Sequence, residues 1–233
     1  MVIPNSKLDK YGLNTWYEER VEAATTEEHH IGENSITVLY ETPYEGFTYG
    51  CSPKDAVHML SLLPSDDWSM IELVIFRQPK RKQIQQNPVW GRMMYYATIG
   101  KRQGAAIYLE AQEIGSCLRW SRKLSLEDQL ELGRLIKDGH EVDENRREYM
   151  LTLSQESIRN TLLYRTFLHE IGHWVQYEKE TLDYNTALSE NSFEACDLYF
   201  AHPPVERESF AHRYAEQVGE RLRREGLIPF TLG

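Results

Sequence analysis

Short apolar runs and alternating stretches dominate the first half of the chain, and this pattern predicts β-strands. Four segments rich in β-branched or aromatic residues fit it: 36–41, 70–77, 90–98 and 105–110. The last two flank a glycine-containing link at 99–104, so we expect them to form a hairpin. A helix is predicted over 53–63, because Ser52 is a favoured N-cap and Pro53 suits the first helical position.

From Ser125 onward, apolar residues recur every three or four positions, which predicts helices. Ser125 and Asp128 resemble a capping box, and Gly139 is expected to end the helix that they begin. Further helices are predicted over 155–178, 190–200 and 205–224, with the Pro203–Pro204 pair separating the last two. The segment 118–123 fits neither period. Strands followed by helices indicate an α+β protein with a small mixed or antiparallel sheet and C-terminal helices.

Composition narrows the class of protein. The 233-residue chain is 41% hydrophobic and 27% charged, which suits a single domain over 1–233, with the sheet in about 1–120 and the helices in about 121–233. A net charge of −10 argues against nucleic acid or an anionic membrane as the main partner. The sequence shows no spanning segment, no secretory signal and no CxxC pair. We therefore expect a cytoplasmic protein.

One motif carries chemistry: residues 169–173 read HEIGH, which fits the HExxH pattern. Residues four apart lie on one face of a helix, so His169 and His173 can present both imidazoles to one metal ion, and neutral imidazoles suit Zn²⁺. Glu170 lies about 100° around the helix, where it reaches a water rather than the metal. Gly172 costs a helix about 1 kcal/mol relative to alanine, which indicates that another element packs closely there.

A catalytic zinc site needs a third protein ligand, which we expect downstream of the motif. Two helical segments each begin with a glutamate and carry an aromatic–alanine pair about two turns later: 194–201 and 208–215. Glu194 and Glu208 are therefore the main candidates, with Glu190 and Glu206 as alternatives. Most glutamates on helices are simply solvated charges.

HEIGH followed by a helix that carries a glutamate resembles the gluzincin metallopeptidases. Within that group, the pattern Glu-x-x-Ala-x-x-aromatic-Ala at 208–215 is similar to the ImmA/IrrE-type family and, more distantly, to the catalytic domain of anthrax lethal factor. The resemblance covers about 163–218 and favours Glu208 over Glu194, where Asp197 replaces the alanine. It implies a zincin-like fold and a zinc-dependent peptidase that cleaves a protein or peptide substrate. Such families often have Asp or Asn where this chain has His212.

The resemblance also implies a mechanism in which Glu170 is the general base and a Tyr or His stabilises the oxyanion. Tyr199, His202 and Tyr214 are candidates for that donor, with Tyr199 favoured, although a core aromatic is the plainer reading of Tyr199. By analogy with zincins, the strand over 105–110 is expected to be a sheet edge that pairs with an extended substrate.

Three other functions stay open at this stage. The first is a regulatory or interaction module that keeps the zinc site for one partner, although the intact Glu170 argues against an inactive enzyme. The second is a nucleic-acid-associated protein, which needs the basic stretches 80–82 and 119–123 to form one surface. The third is a closed metal site that only stabilises the fold.

Overall fold

The computed structural model describes residues 7–8, 14–15, 21, 24–80, 83–84, 89–188 and 192–230, with the backbone alone described for 7–8, 14–15 and, within 182–196, the helical positions. The strands are β1 (Lys7–Leu8), β2 (Asn14–Thr15), β3 (Thr25–Ile31), β4 (Asn34–Tyr40), β5 (Phe47–Thr48), β6 (Ile71–Arg77), β7 (Gly91–Ile99), β8 (Arg102–Glu110), β9 (Gln112–Glu113), β10 (Cys117–Ser121), β11 (Glu141–Glu144) and β12 (Glu148–Thr152). The helices are α1 (Pro53–Ser61), α2 (Leu126–Lys137), α3 (Gln155–Thr161), α4 (Phe167–Leu188), α5 (Ser192–Ala201) and α6 (Pro204–Arg224).

A mixed five-stranded sheet in the order β3-β4-β6-β8-β7 forms the centre of the fold. Strands β4, β6 and β8 run parallel, whereas β3 and β7 pair antiparallel at the two edges. Alternate residues of the central strands face the helices, where Val74 and Ile107 share one buried cluster with Phe167 and Ile171. The metal-motif helix α4 therefore lies directly on the sheet. The α+β class, the mixed sheet and the C-terminal helices agree with the prediction in these general terms.

Local signals in the sequence account well for the helix ends. Ser52 with Asp55 and Ser125 with Asp128 form the capping boxes of α1 and α2, each with both reciprocal hydrogen bonds. Gly139, at φ 91°, follows α2 in the left-handed conformation that glycine adopts without strain. The long helix predicted over 155–178 is present and extends to Leu188, with a π-helical turn at Leu162–Thr166 between α3 and α4.

The expectation that 105–110 is a sheet edge is wrong. These residues belong to β8, which lies between β6 and β7, and each of the positions 105–110 is buried. An unbroken apolar run is typical of a strand covered on both faces. The edge on this side of the sheet is the hairpin partner of β8, the antiparallel strand β7, which adjoins α4.

The expectation of helices alone after residue 121 is also incomplete. Strands β10, β12 and β11 form a second, antiparallel sheet in that order. Its β11–β12 turn is closed by Asn145, whose side-chain oxygen accepts hydrogen bonds from the backbone of Arg147 and Glu148. β11 is charged at three of its four positions, and β10 and β12 are short strands in which Leu151 is the one fully buried side chain, so the apolar pattern that predicts a strand is weak. The ambiguous segment 118–123 contributes most of β10.

None of the described helices contains an apolar segment long enough to cross a membrane.

Candidate metal centre

Helix α4 presents the two histidines of the motif side by side. The His169 and His173 Nε2 atoms are 3.1 Å apart, and the two rings meet edge to face. Both side chains are mostly buried, at 12% and 11% exposed. Their Nδ1 atoms are buried and have no hydrogen-bond partner among the described residues. The one-turn spacing thus brings both Nε2 atoms to a common point, as predicted from the sequence.

Glu208 reaches that point from α6. Its two carboxylate oxygens lie 3.2 Å from His169 Nε2 and 3.5 Å from His173 Nε2. Hydrogen bonds with the two imidazoles hold the pKa of Glu208 far below its usual range, even though partial burial opposes this. The carboxylate is therefore ionised at neutral pH, which is the form that binds a cation.

Close packing of α4 against α6 makes this meeting possible. A Cβ atom added at Gly172 would lie 3.0 Å from Ala211 Cα and 3.0 Å from Tyr214 Cβ. The absence of a side chain lets the two backbones approach, so that Glu208, one turn before Ala211 and His212, faces the motif. The prediction from Gly172 that an element packs closely there is confirmed.

The donor set fits zinc. Bonds of roughly 2.0–2.1 Å at tetrahedral angles separate neighbouring ligand atoms by about 3.3–3.4 Å. The separations here are 3.1, 3.2 and 3.5 Å, so His169, His173 and Glu208 are arranged to hold one small ion. Among the described residues, this is the one group of three or more His, Cys, Asp or Glu side chains that is close enough to do so.

Glu170 lies beside this group and is tied to the sheet. It is 6% exposed, and burial raises its pKa, while the neighbouring histidines and a backbone hydrogen bond from Met93 oppose that rise. Trp90 O accepts the Glu110 N–H inside the sheet. Gly91 and Met93, the alternate residues of β7 before its register shift between Met94 and Ala97, therefore turn their main-chain groups outward. The Met93 N–H on this outer edge orients the Glu170 carboxylate.

The competing third ligands are placed elsewhere or not described. Glu206 points to His202, whose Nδ1 lies 3.6 Å from its carboxylate. Glu190 lies outside the described residues, and so does the side chain of Glu194. The ring of His212 packs against that of His169 at a tilt of 43°, with centroids 4.3 Å apart, and His212 lies outside the ligand group. Burial, together with the neighbouring His169, lowers the pKa of His212 to about 3, so it is neutral.

The structure does not support Tyr199 as an oxyanion donor. Its side chain is 1% exposed, and its hydroxyl is bonded to the Tyr95 hydroxyl at 2.7 Å and to the His173 carbonyl at 3.4 Å. The other two candidates are also engaged, because Tyr214 donates to Asp67 at 2.6 Å and His202 lies 3.2 Å from Glu180. None of the three lines the cleft described next.

A cleft of about 480 Å³ opens over the candidate centre. One wall is the outer edge of β7, and the other is formed by α4 and α6. Its lining includes His169, Glu170, His173 and Glu208, together with residues that the sequence analysis did not single out: Arg92, Tyr95, Arg165 and Arg207. Two features of the sequence could have drawn attention to them: Arg207 is next to the predicted ligand Glu208, and Tyr95 lies on a predicted strand.

Comparison with protein-family models, with curated proteins and with solved structures finds no match for this chain.

Proposed function

We propose that the protein is a zinc-dependent metallopeptidase of the gluzincin type, with a zincin-like fold. The observation that carries the proposal is the convergence of three side chains beside a buried carboxylate: the two imidazole Nε2 atoms from α4 are 3.1 Å apart, and each lies within 3.5 Å of one carboxylate oxygen of Glu208 from α6. The antiparallel edge strand next to the motif helix also agrees with a zincin-like sheet. His169, His173 and Glu208 are the proposed zinc ligands.

The proposed mechanism assigns one task to each group. Zn²⁺, when bound, supplies a Lewis acid that polarises the scissile carbonyl and lowers the pKa of water toward about 7. Glu170 takes the proton of the attacking water and passes it to the leaving amine. Because burial raises the pKa of Glu170, its conjugate acid gives up that proton less readily than a solvated glutamic acid would. The Met93 N–H keeps the carboxylate aimed at the cleft.

The outer edge of β7 is the proposed binding site for an extended peptide. Unpaired main-chain groups on a strand edge can add a substrate strand through backbone hydrogen bonds. Gly91 lets this edge approach the start of α4, since a Cβ atom there would lie 2.8 Å from Thr166 Cγ2 in the preceding π-helical turn and 3.6 Å from Glu170 Cγ. The role first expected of residues 105–110 is thereby proposed for 91–99.

The rival functions gain less support. In the second basic stretch, Arg119 pairs with Glu148 at 2.8 Å and Arg122 pairs with Glu144 at 2.7 Å, so two of its cations are compensated. Arg81 and Lys82 of the first stretch lie outside the described residues. A closed structural site is disfavoured because the candidate centre opens into the cleft.

Zinc content and peptide cleavage, measured on matched variants, test the proposal. We expect one zinc per chain in the wild type and in Glu170→Gln, with hydrolysis of a quenched fluorescent peptide library reduced by about 10²- to 10⁴-fold in the variant. Glu208→Gln should lose both zinc and activity. Glu206→Gln, two residues away on the same helix, should keep both. Absence of bound zinc, or cleavage that survives Glu170→Gln, would refute the proposal.

A further inference from the structure

The cleft is lined by charged side chains of both signs: its three glutamates, Glu131, Glu170 and Glu208, are matched by as many arginines, although the chain as a whole is acidic. Its lining contains three arginines, Arg92, Arg165 and Arg207. Arg165 is compensated, because it donates to Asp138 at 2.6 Å and to Glu131 at 2.9 Å. Arg92 lies 3.9 Å from the buried carboxylate of Glu110. These two guanidinium groups are thus held by acidic partners of the protein itself.

Arg207 differs from the other two. Within the part of the chain whose side chains the structure describes, no carboxylate lies in ion-pair distance of its guanidinium, and its buried Nε has no hydrogen-bond partner. Its central carbon lies 5.6 Å from the ring centroids of both Tyr199 and Phe200. Stacking on aromatic rings fixes the position of a guanidinium without neutralising its charge.

Two acidic side chains that, like Arg207, lie close enough to Tyr199 to influence its pKa are engaged elsewhere. Glu208, the next residue, faces the two histidines, and Glu180 faces His202 and Gln176. The Tyr95 hydroxyl, on the same side of the cleft, is bonded to Tyr199. Arg207 therefore keeps most of its N–H donors for a group that enters the cleft, and a carboxylate accepts such donors best.

We propose that Arg207 selects peptides that carry an Asp or Glu side chain near the scissile bond, on the side of the cleft formed by Tyr95. The inference rests on the proposed function only for the statement that the cleft binds peptide. It assigns a specificity to this cleft that the net charge of the whole chain does not predict, because an acidic surface by itself disfavours acidic ligands.

Binding selection separates this inference from catalysis. A random peptide library is panned on zinc-loaded Glu170→Gln, and the bound peptides are sequenced. We expect Asp and Glu to be enriched about tenfold over the input library at one position. The enrichment should disappear in Glu170→Gln/Arg207→Gln and persist in Glu170→Gln/Arg213→Gln, since Arg213 is an exposed arginine of the same helix that bonds to Ser209.

Several outcomes would overturn the inference. If no acidic residue is enriched, the cleft does not select acidic peptides. If the enrichment persists without Arg207, the zinc ion and not Arg207 binds the acidic side chain. If Arg207→Gln in the otherwise wild-type enzyme lowered kcat equally for acidic and neutral peptides, Arg207 would act at the reacting carbonyl instead. If the wild type hydrolyses no peptide but Glu170→Gln still enriches acidic peptides through Arg207, the proposed peptidase activity is refuted and this inference is retained.

Discussion

At the scale of single residues, Tyr199 illustrates how burial decides what a polar side chain does. Its ring packs edge to face on Tyr95, Tyr177 and Phe200, and its hydroxyl is bonded to Tyr95 and to the carbonyl of His173. Burial raises the pKa of Tyr199, so it stays protonated. These contacts indicate that Tyr199 holds the motif helix α4 in place from outside the cleft.

Replacing Tyr199 by phenylalanine tests this assignment. We expect kcat/KM to stay within about threefold of the wild type, whereas loss of a true oxyanion donor costs about 10²- to 10³-fold. Stability should fall by about 1–2 kcal/mol, because the Tyr95 hydroxyl loses its partner. Tyr96→Phe is the control for both measurements, because Tyr96 is an exposed tyrosine of β7 next to Tyr95. A large loss of kcat with unchanged stability would return Tyr199 to the reaction.

Some residues of the candidate centre can be predicted from the neighbouring sequence, and others cannot. The pairing of His169 with His173 follows from helix periodicity alone, and Gly172 signals the close packing of another helix. The choice of Glu208 needed a resemblance, since a glutamate on a helix has no distinctive local pattern. Arg207 was not predicted, because its role depends on which carboxylates are absent around it, and that is a property of tertiary structure.

At the scale of elements, the contact between α4 and α6 positions the third ligand. Gly172→Leu should place side-chain atoms where Ala211 and Tyr214 now lie within 3.0 Å of a Cβ atom, and push the two helices apart. We expect about 1–3 kcal/mol of destabilisation and at least a tenfold loss of zinc affinity as Glu208 moves away. Thermal unfolding and competition with a zinc chelator measure the two effects.

Gly133 in α2 provides the matched control for Gly172→Leu. A Cβ atom at Gly133 would meet nothing within 4 Å, so Gly133→Ala should stabilise the protein by up to about 1 kcal/mol through helix propensity. Zinc affinity should not change in this control. Unchanged zinc affinity in Gly172→Leu as well would show that the helix crossing does not position Glu208.

Elements were predictable where their burial leaves a periodic pattern. The strands β4 and β6, the β7–β8 hairpin and the capped helices α1 and α2 all carry such patterns. The order of strands within the sheet does not, so the edge was assigned to β8 instead of β7. Strands β11 and β12 are short and mostly half-buried or exposed, with Leu151 as their one fully buried side chain, and the π-helical turn before α4 preserves the apolar spacing of a helix. Neither feature has a signal in a single sequence.

At the scale of the whole molecule, Arg159 links parts of the chain that are distant in sequence. It makes two hydrogen bonds of 3.0 Å to Asp55 of α1, and it also donates to the carbonyls of Gly50 and Phe230. The Asp55 carboxylate is 5% exposed. Burial alone would raise the pKa of Asp55, but hydrogen bonds from Arg159 and Ser52 outweigh it and lower that pKa below 3.8.

This shift predicts how stability depends on pH. Because the folded-state pKa of Asp55 lies below its unfolded value, the unfolded chain binds more protons between the two values, and stability falls as the pH drops through that interval. Arg159→Met removes the cation and leaves Asp55 buried without its charge partner, which should cost about 3–5 kcal/mol at pH 7. The deficit should shrink toward pH 4, since Asp55 then folds in its neutral form.

Adding Asp55→Asn to Arg159→Met separates the charge from the packing. The double variant should recover part of the lost stability at pH 7 and show no shrinking deficit toward pH 4, because no buried carboxylate remains to be protonated. Urea unfolding of the wild type, the single variant and the double variant at pH 4, 5.5 and 7 measures this directly. A deficit in Arg159→Met that is equal at all three pH values would mean that Arg159 stabilises the fold through its bonds to the Gly50 and Phe230 carbonyls rather than through Asp55.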